Sequence, residues 1–103
     1  MDEDIALEVI SRYLGGMIDR IIEKNGFKLD IDDDYEELLL FIYDRLIKIW
    51  FKKYKPSEEE FEDRIKHLKR RRRAHLEVLL SYLISKYVQS KTTLTVHSGR
   101  DLF

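Results

Sequence analysis

The residues best equipped for chemistry in this chain are basic ones. The run Arg64-Ile65-Lys66-His67-Leu68-Lys69-Arg70-Arg71-Arg72-Arg73-Ala74-His75 places seven Lys or Arg and two His within twelve residues. Arginine carries five N–H donors in a planar fork that matches phosphate and carboxylate oxygens, so the run points to a polyanion or to an acidic partner protein. His67 and His75 stand eight residues apart, two turns along one side of a helix. That spacing is too wide for one shared metal, and the neighbouring guanidinium groups repel a cation. Acidic pairs occur as Asp32, Asp33 and Asp34 and as Glu58, Glu59 and Glu60. They stand where helices begin, and acid there stabilises the positive end of the helix dipole. There is no cysteine, hence no thiolate nucleophile, disulfide or Cys-based zinc site. The reading is that the chain is not an enzyme: no catalytic residue, metal, cofactor or small-molecule substrate is expected.

A net charge of −1 hides a strong division. Residues 1–63 hold 9 Lys/Arg against 18 Asp/Glu, a balance of −9, whereas residues 64–103 hold 10 against 2, a balance of +8. Three readings of the basic run stay open. It is a solvated surface balanced by the acidic half, a contact for nucleic-acid phosphates, or a contact for an acidic face of another protein. The contact residues are Lys66, Lys69, Arg70, Arg71, Arg72 and Arg73. No aromatic is interleaved among them, which argues against base stacking. No short turn precedes the run where a helix-turn-helix would need one.

The elements that hold these residues are helical. One proline and four glycines in 103 residues are too few for a turn-rich β fold. A first helix is predicted from about Asp4 to Lys24, its apolar residues recurring every three or four positions and Gly26 ending it. Gly15-Gly16 in its middle is read as a close helix contact or a slight kink. A second is predicted from about Asp33 to Tyr54, opened by Asp32–Asp34. Residues 38–43 are apolar all round, which places them in the middle of a bundle. The third has the clearest start: Pro56, Ser57 as N-cap, and Glu60 completing a capping box. No glycine or proline follows until Gly99, so this helix is predicted to run unbroken to Gln89, about 33 residues and roughly 50 Å.

The expected fold class is therefore all-α, a small helical bundle with two shorter helices packed on one long C-terminal helix. The helical domain spans 1–89, and 90–103 is a flexible or partner-docking polar tail. The apolar stripe of the long helix reaches Arg72, where a core residue is due. Either the helix leaves its bundle there, or an Arg pairs with acid from Asp32–Asp34 or Glu36. A helix longer than its own domain needs cover. Trp50, Phe51, Tyr54, Leu79, Leu80, Leu83, Ile84 and Tyr87 are the expected protein interface, in a homo-oligomer or a hetero-complex through helices. No apolar run reaches the roughly 20 residues of a membrane span, and the acidic start is unlike a targeting peptide. A cytoplasmic location is expected. Asn25 and Gln89 are the sole side-chain amides, and with abundant Lys, Arg and Glu this resembles a hyperthermophile's composition.

Two resemblances follow from these residues. The stretch from Leu68 to Tyr87, with Arg70–Arg73 ahead of the pair Tyr82-Leu83 and Lys86 behind it, resembles the long helix of GINS subunits. The stretch from Ile31 to Tyr43 is similar to the acidic-to-aliphatic helix that precedes it in that family. Together they cover about half the chain. The resemblance implies an all-α, non-enzymatic subunit of the replicative helicase assembly, working in DNA replication. Separately, Arg70 and His75 match the Arg-x4–6-His spacing of HEPN ribonucleases, which are all-α and metal-free. That resemblance implies, as the alternative, RNA cleavage with the His and Arg acting at the 2′-hydroxyl and the phosphate. A stand-alone nucleic-acid-binding helical protein is a further alternative.

Overall fold

Among the described residues the computed structural model holds four helices: α1 (Glu3–Asn25), α2 (Ile31–Trp50), α3 (Glu58–Arg71) and α4 (Arg73–Arg100). The structure describes residues 1–52 and 54–100, with side chains described to residue 91 except at position 31. No strand occurs among the described residues.

Local chemistry sets the helix ends. Asp2 caps α1 by accepting from the Asp4 N–H at 3.0 Å, and Glu3 and Asp4 oppose its dipole. Gly26 closes it in the left-handed region at φ +64°. From there the Phe27 N–H returns to the Ile22 carbonyl at 3.1 Å, the arrangement that glycine permits without a Cβ clash. Gly15-Gly16 leaves α1 unbroken; Gly15 is buried, facing the Tyr35 hydroxyl. Asp30 caps α2 by accepting from Asp32 and Asp33. At the far end of α2, Lys52 sits at φ +48°, a non-glycine residue in left-handed backbone.

Residues spaced three and four apart on α1, among them Ala6, Ile10, Leu14 and Ile18, present one wholly buried face. Leu38, Ile42 and Leu46 of α2 meet it, equally buried. Tyr35 feels the charge of Asp19 and Tyr43 that of Glu3, so the two helices run antiparallel. Leu76, Leu80, Leu83, Ile84 and Tyr87 of α4 complete the core. Each such side chain contributes about 1.5–3 kcal/mol by leaving water.

The predicted single C-terminal helix is corrected at one residue. Arg72 takes φ −136° and ψ 43°, ending α3 after 14 residues, and α4 starts at Arg73. The cause is in the pattern: Phe61 and Ile65 are wholly buried and Leu68 half-buried, but position 72 offers the core a guanidinium. Burying it unpaired would cost several kcal/mol. A departure from helical geometry instead keeps Arg70 to Arg73 in solvent and lets the apolar stripe resume at Leu76. The hydrogen-bond ladder resumes at once, with Arg72 N–H to the Leu68 carbonyl at 2.7 Å and Leu76 N–H to the Arg72 carbonyl at 2.9 Å.

The break also changes what covers what. With α3 folded against α1, α4 buries its own stripe in the bundle, so Leu80, Leu83, Ile84 and Tyr87 are 4% exposed or less. They are core residues of this chain and not the uncovered patch that an overlong helix would leave. Phe51 is likewise buried and Trp50 half-buried, because α3 brings Phe61 within 6.3 Å of the Trp50 ring and Arg64 over Phe51. Leu79 is half-buried, and Tyr54 alone of the expected interface residues stands mostly in water. The predicted tail from 90 to 103 falls mostly outside the described side chains; the helical backbone of α4 is assigned through Arg100. No helix among the described residues is long and apolar enough to cross a membrane.

Candidate functional site

The site with the strongest electrostatic character is the α3–α4 junction. Its position is fixed from the N-terminal end of α3. Ser57 accepts from the Glu60 N–H at 3.2 Å while the Glu60 carboxylate accepts from the Ser57 N–H at 3.0 Å. The Tyr54 hydroxyl donates to the other Glu60 oxygen at 3.2 Å. These bonds, the Ser57 backbone bond first, hold the Glu60 carboxyl below the usual carboxylate range. Phe61 and Ile65 then seat α3 in the core, with Phe61 edge-on to Tyr43 at 5.6 Å.

Two polar contacts set its rotation. Arg12 of α1 reaches Glu62 at 3.4 Å while also pairing with Glu8 at 2.9 Å. Lys69 turns inward and donates to the Tyr13 carbonyl at 2.7 Å. With Lys69 committed, the other cations face outward. Lys66, Arg70, Arg71, Arg72 and Arg73 are all exposed. Arg73 approaches Glu77 at 3.7 Å, while Lys66, Arg70, Arg71 and Arg72 form no ion pair among the described residues.

Of the two alternatives for Arg72, pairing with Asp32–Asp34 or Glu36 does not occur among the described residues. Asp34 and Glu37 instead take Lys91 of α4, at 3.5 and 3.2 Å. The bond to Glu37 leads in holding the Lys91 ammonium above its ordinary value. Two acids in the first turns of α2 thereby tie it to α4.

The junction is an exposed run of charge. Arg70 and Arg71 close α3, where cations oppose the negative end of its dipole. Arg72 and Arg73 open α4, whose first turn contains no acid to offset its positive end. Four guanidinium groups in succession, with one weak carboxylate contact, make a surface suited to several phosphate or carboxylate oxygens at once. Arg70 and His75 lie on opposite sides of the break, both exposed, so the Arg-x4-His spacing is not carried on one continuous helix. His67 is exposed on α3. Among the described residues no three His, Asp or Glu side chains gather into a metal-holding group.

Sequence reasoning missed a second feature. Ile49, Val78 and Tyr82 are 45%, 69% and 58% exposed, and sequence reasoning assigned them no role in a site or interface. Their signal was an apolar residue one helical step off the buried face. Compared with family models, curated proteins and solved structures, the chain matches none.

Proposed function

We propose that this chain is a non-enzymatic helical assembly protein that contacts nucleic-acid phosphates through the α3–α4 junction. The observation that carries this is the set Arg70, Arg71 and Arg72, exposed and without a carboxylate partner among the described residues. Like charges held this close repel one another, and a phosphate backbone relieves that repulsion while releasing its own counterions. The absence of interleaved aromatics favours backbone contact over base reading. The resemblance of residues 31–43 and 68–87 to GINS helices supports placing such a protein in a DNA-replication complex, where it would join other subunits through its helices.

Fluorescence anisotropy with a labelled DNA duplex tests the reading. If four arginines each neutralise one phosphate, log K falls against log salt with a slope of about −3.6. An R70A/R71A/R72A/R73A variant should lose most binding and most of that slope while keeping its helical signal. Binding that ignores salt and this variant would refute the junction as the contact.

A further inference from the structure

Away from the junction, α2 and α4 enclose an apolar groove of about 420 Å³ floored by Phe41 and Leu83. Its walls are Ile49 and Tyr82, two of the exposed large hydrophobic residues. Val78 stands one turn before Tyr82 on α4, so its exposed side chain extends the same apolar strip along the helix. Three cations, Arg45, Lys48 and Lys86, ring the groove.

Two of these cations rest on aromatic rings, as Arg64 does on Phe51 elsewhere on the surface. The Arg45 guanidinium lies 4.9 Å from the Phe41 ring centre, and the Lys86 ammonium 5.4 Å from that of Tyr82. Neither forms an ion pair among the described residues; Lys48 alone has one, with Asp44 at 3.1 Å. Resting on aromatic faces, Arg45 and Lys86 are held at the groove's edge with their hydrogen-bonding capacity open. The result is an apolar centre within a positive rim.

We propose that this groove docks an amphipathic helix of a partner protein, one with aliphatic residues on one face and Asp or Glu flanking them. The apolar face would cover Ile49, Val78 and Tyr82, and the flanking carboxylates would reach Arg45 and Lys86. Charge complementarity selects this occupant. A nucleic acid would gain one stacking ring, Tyr82, and would leave Ile49 and Val78 against phosphate and sugar. A neutral or basic helix would leave the rim cations opposed. The docking uses no residue of the Arg70–Arg73 run, so it stands or falls apart from the junction reading.

The test uses the full chain and a fluorescein-labelled 18-residue probe peptide with Leu at the i, i+3, i+4, i+7 positions and Glu beside them. A scrambled peptide of identical composition is the control. Ile49→Ser and Tyr82→Ser change exposed side chains, and circular dichroism checks that both variants stay folded. Saturable binding of the patterned peptide is expected, weakened at least tenfold in either variant and several-fold in R45E/K86E. Binding is expected to be unchanged in the Arg70–Arg73→Ala variant, even where that variant has lost DNA. Equal binding of the scrambled peptide, or no binding of the patterned one, overturns the proposal. So does sedimentation showing self-association that Tyr82→Ser abolishes, which assigns the groove to a second copy. Oligothymidine binding that depends on Tyr82 assigns it to nucleic acid and overturns it equally.

Discussion

Phe61 is the residue on which the position of α3 turns, and its removal has a calculable effect. The side chain is wholly buried, edge-on to Tyr43 at 88° and 5.6 Å, and tilted 6.3 Å from Trp50. Ile65, wholly buried, and Leu68, half-buried, share the work of burying α3. The other ties to α1 are the solvent-screened Arg12–Glu62 pair and the Lys69–Tyr13 bond, the latter about 1.5–3 kcal/mol. Phe61→Ala loses the transfer energy of a ring and leaves a cavity, about 3–5 kcal/mol together. A domain of this size has about 5–15 kcal/mol in total, so the variant should fold but melt far earlier in urea. Phe61→Leu, which keeps most of the volume, should cost less than half as much. Trp50 is the chain's one tryptophan, so its emission reports the same event locally and should shift to the red in the alanine variant. A loss below about 1 kcal/mol with unchanged Trp50 emission would refute the claim that Phe61 seats α3.

Four further outcomes are expected. Ser57→Ala removes the cap of α3 and should cost about 1 kcal/mol in chemical denaturation. Because the folded-state Glu60 carboxyl is depressed, its contribution is present above the ordinary glutamate range and fades as pH falls through the lower folded value. A denaturation series in acid should therefore show a loss that Glu60→Gln no longer displays. Lys52→Gly relieves left-handed backbone at φ +48° and should stabilise by about 0.5–1 kcal/mol, read as a higher urea midpoint. Incubation of the wild type and His75→Ala with single-stranded RNA should yield no His75-dependent cleavage; cleavage lost in that variant would move the protein to the enzymes.

The starts of α1 and α3 and the stop after α1 were legible because each rests on a local rule. Ser57 with Glu60, and Gly26, announce their roles within a few residues, whereas the cap of α2 is Asp30, two residues ahead of the Asp32–Asp34 run read as its opening. The central place of Leu38 and Ile42 followed from a stretch that is apolar all round, whereas the antiparallel pairing of α1 with α2 was not read in the sequence. The break at Arg72 was not announced by glycine or proline. It follows from a conflict between levels, a sequence with helical propensity throughout and a core that cannot accept a guanidinium at one stripe position. That conflict was visible as the gap from Leu68 to Leu76, but choosing between a protruding helix, a paired arginine and a bend needed the tertiary contacts of α3. The outward-facing cations were readable in type and not in partners. Lys69 looked like its neighbours and proved to be an anchor.

The single-residue break has a consequence for how the chain meets proteases. A trypsin-like enzyme cuts after Arg or Lys but needs locally extended backbone, which helices withhold. Arg72 is the one described residue between α3 and α4 outside helical geometry, and arginines flank it on both sides in solvent. Cleavage there is expected alongside cleavage at Lys28 and Lys52, which are also exposed basic residues outside the helices. The two pieces left by the cut at Arg72 should stay together, since the Leu76, Leu80 and Ile84 stripe remains locked in the core. A polyanion lying on the same arginines would shield that bond, so the rate of this one cut is a direct footprint of occupancy at the junction.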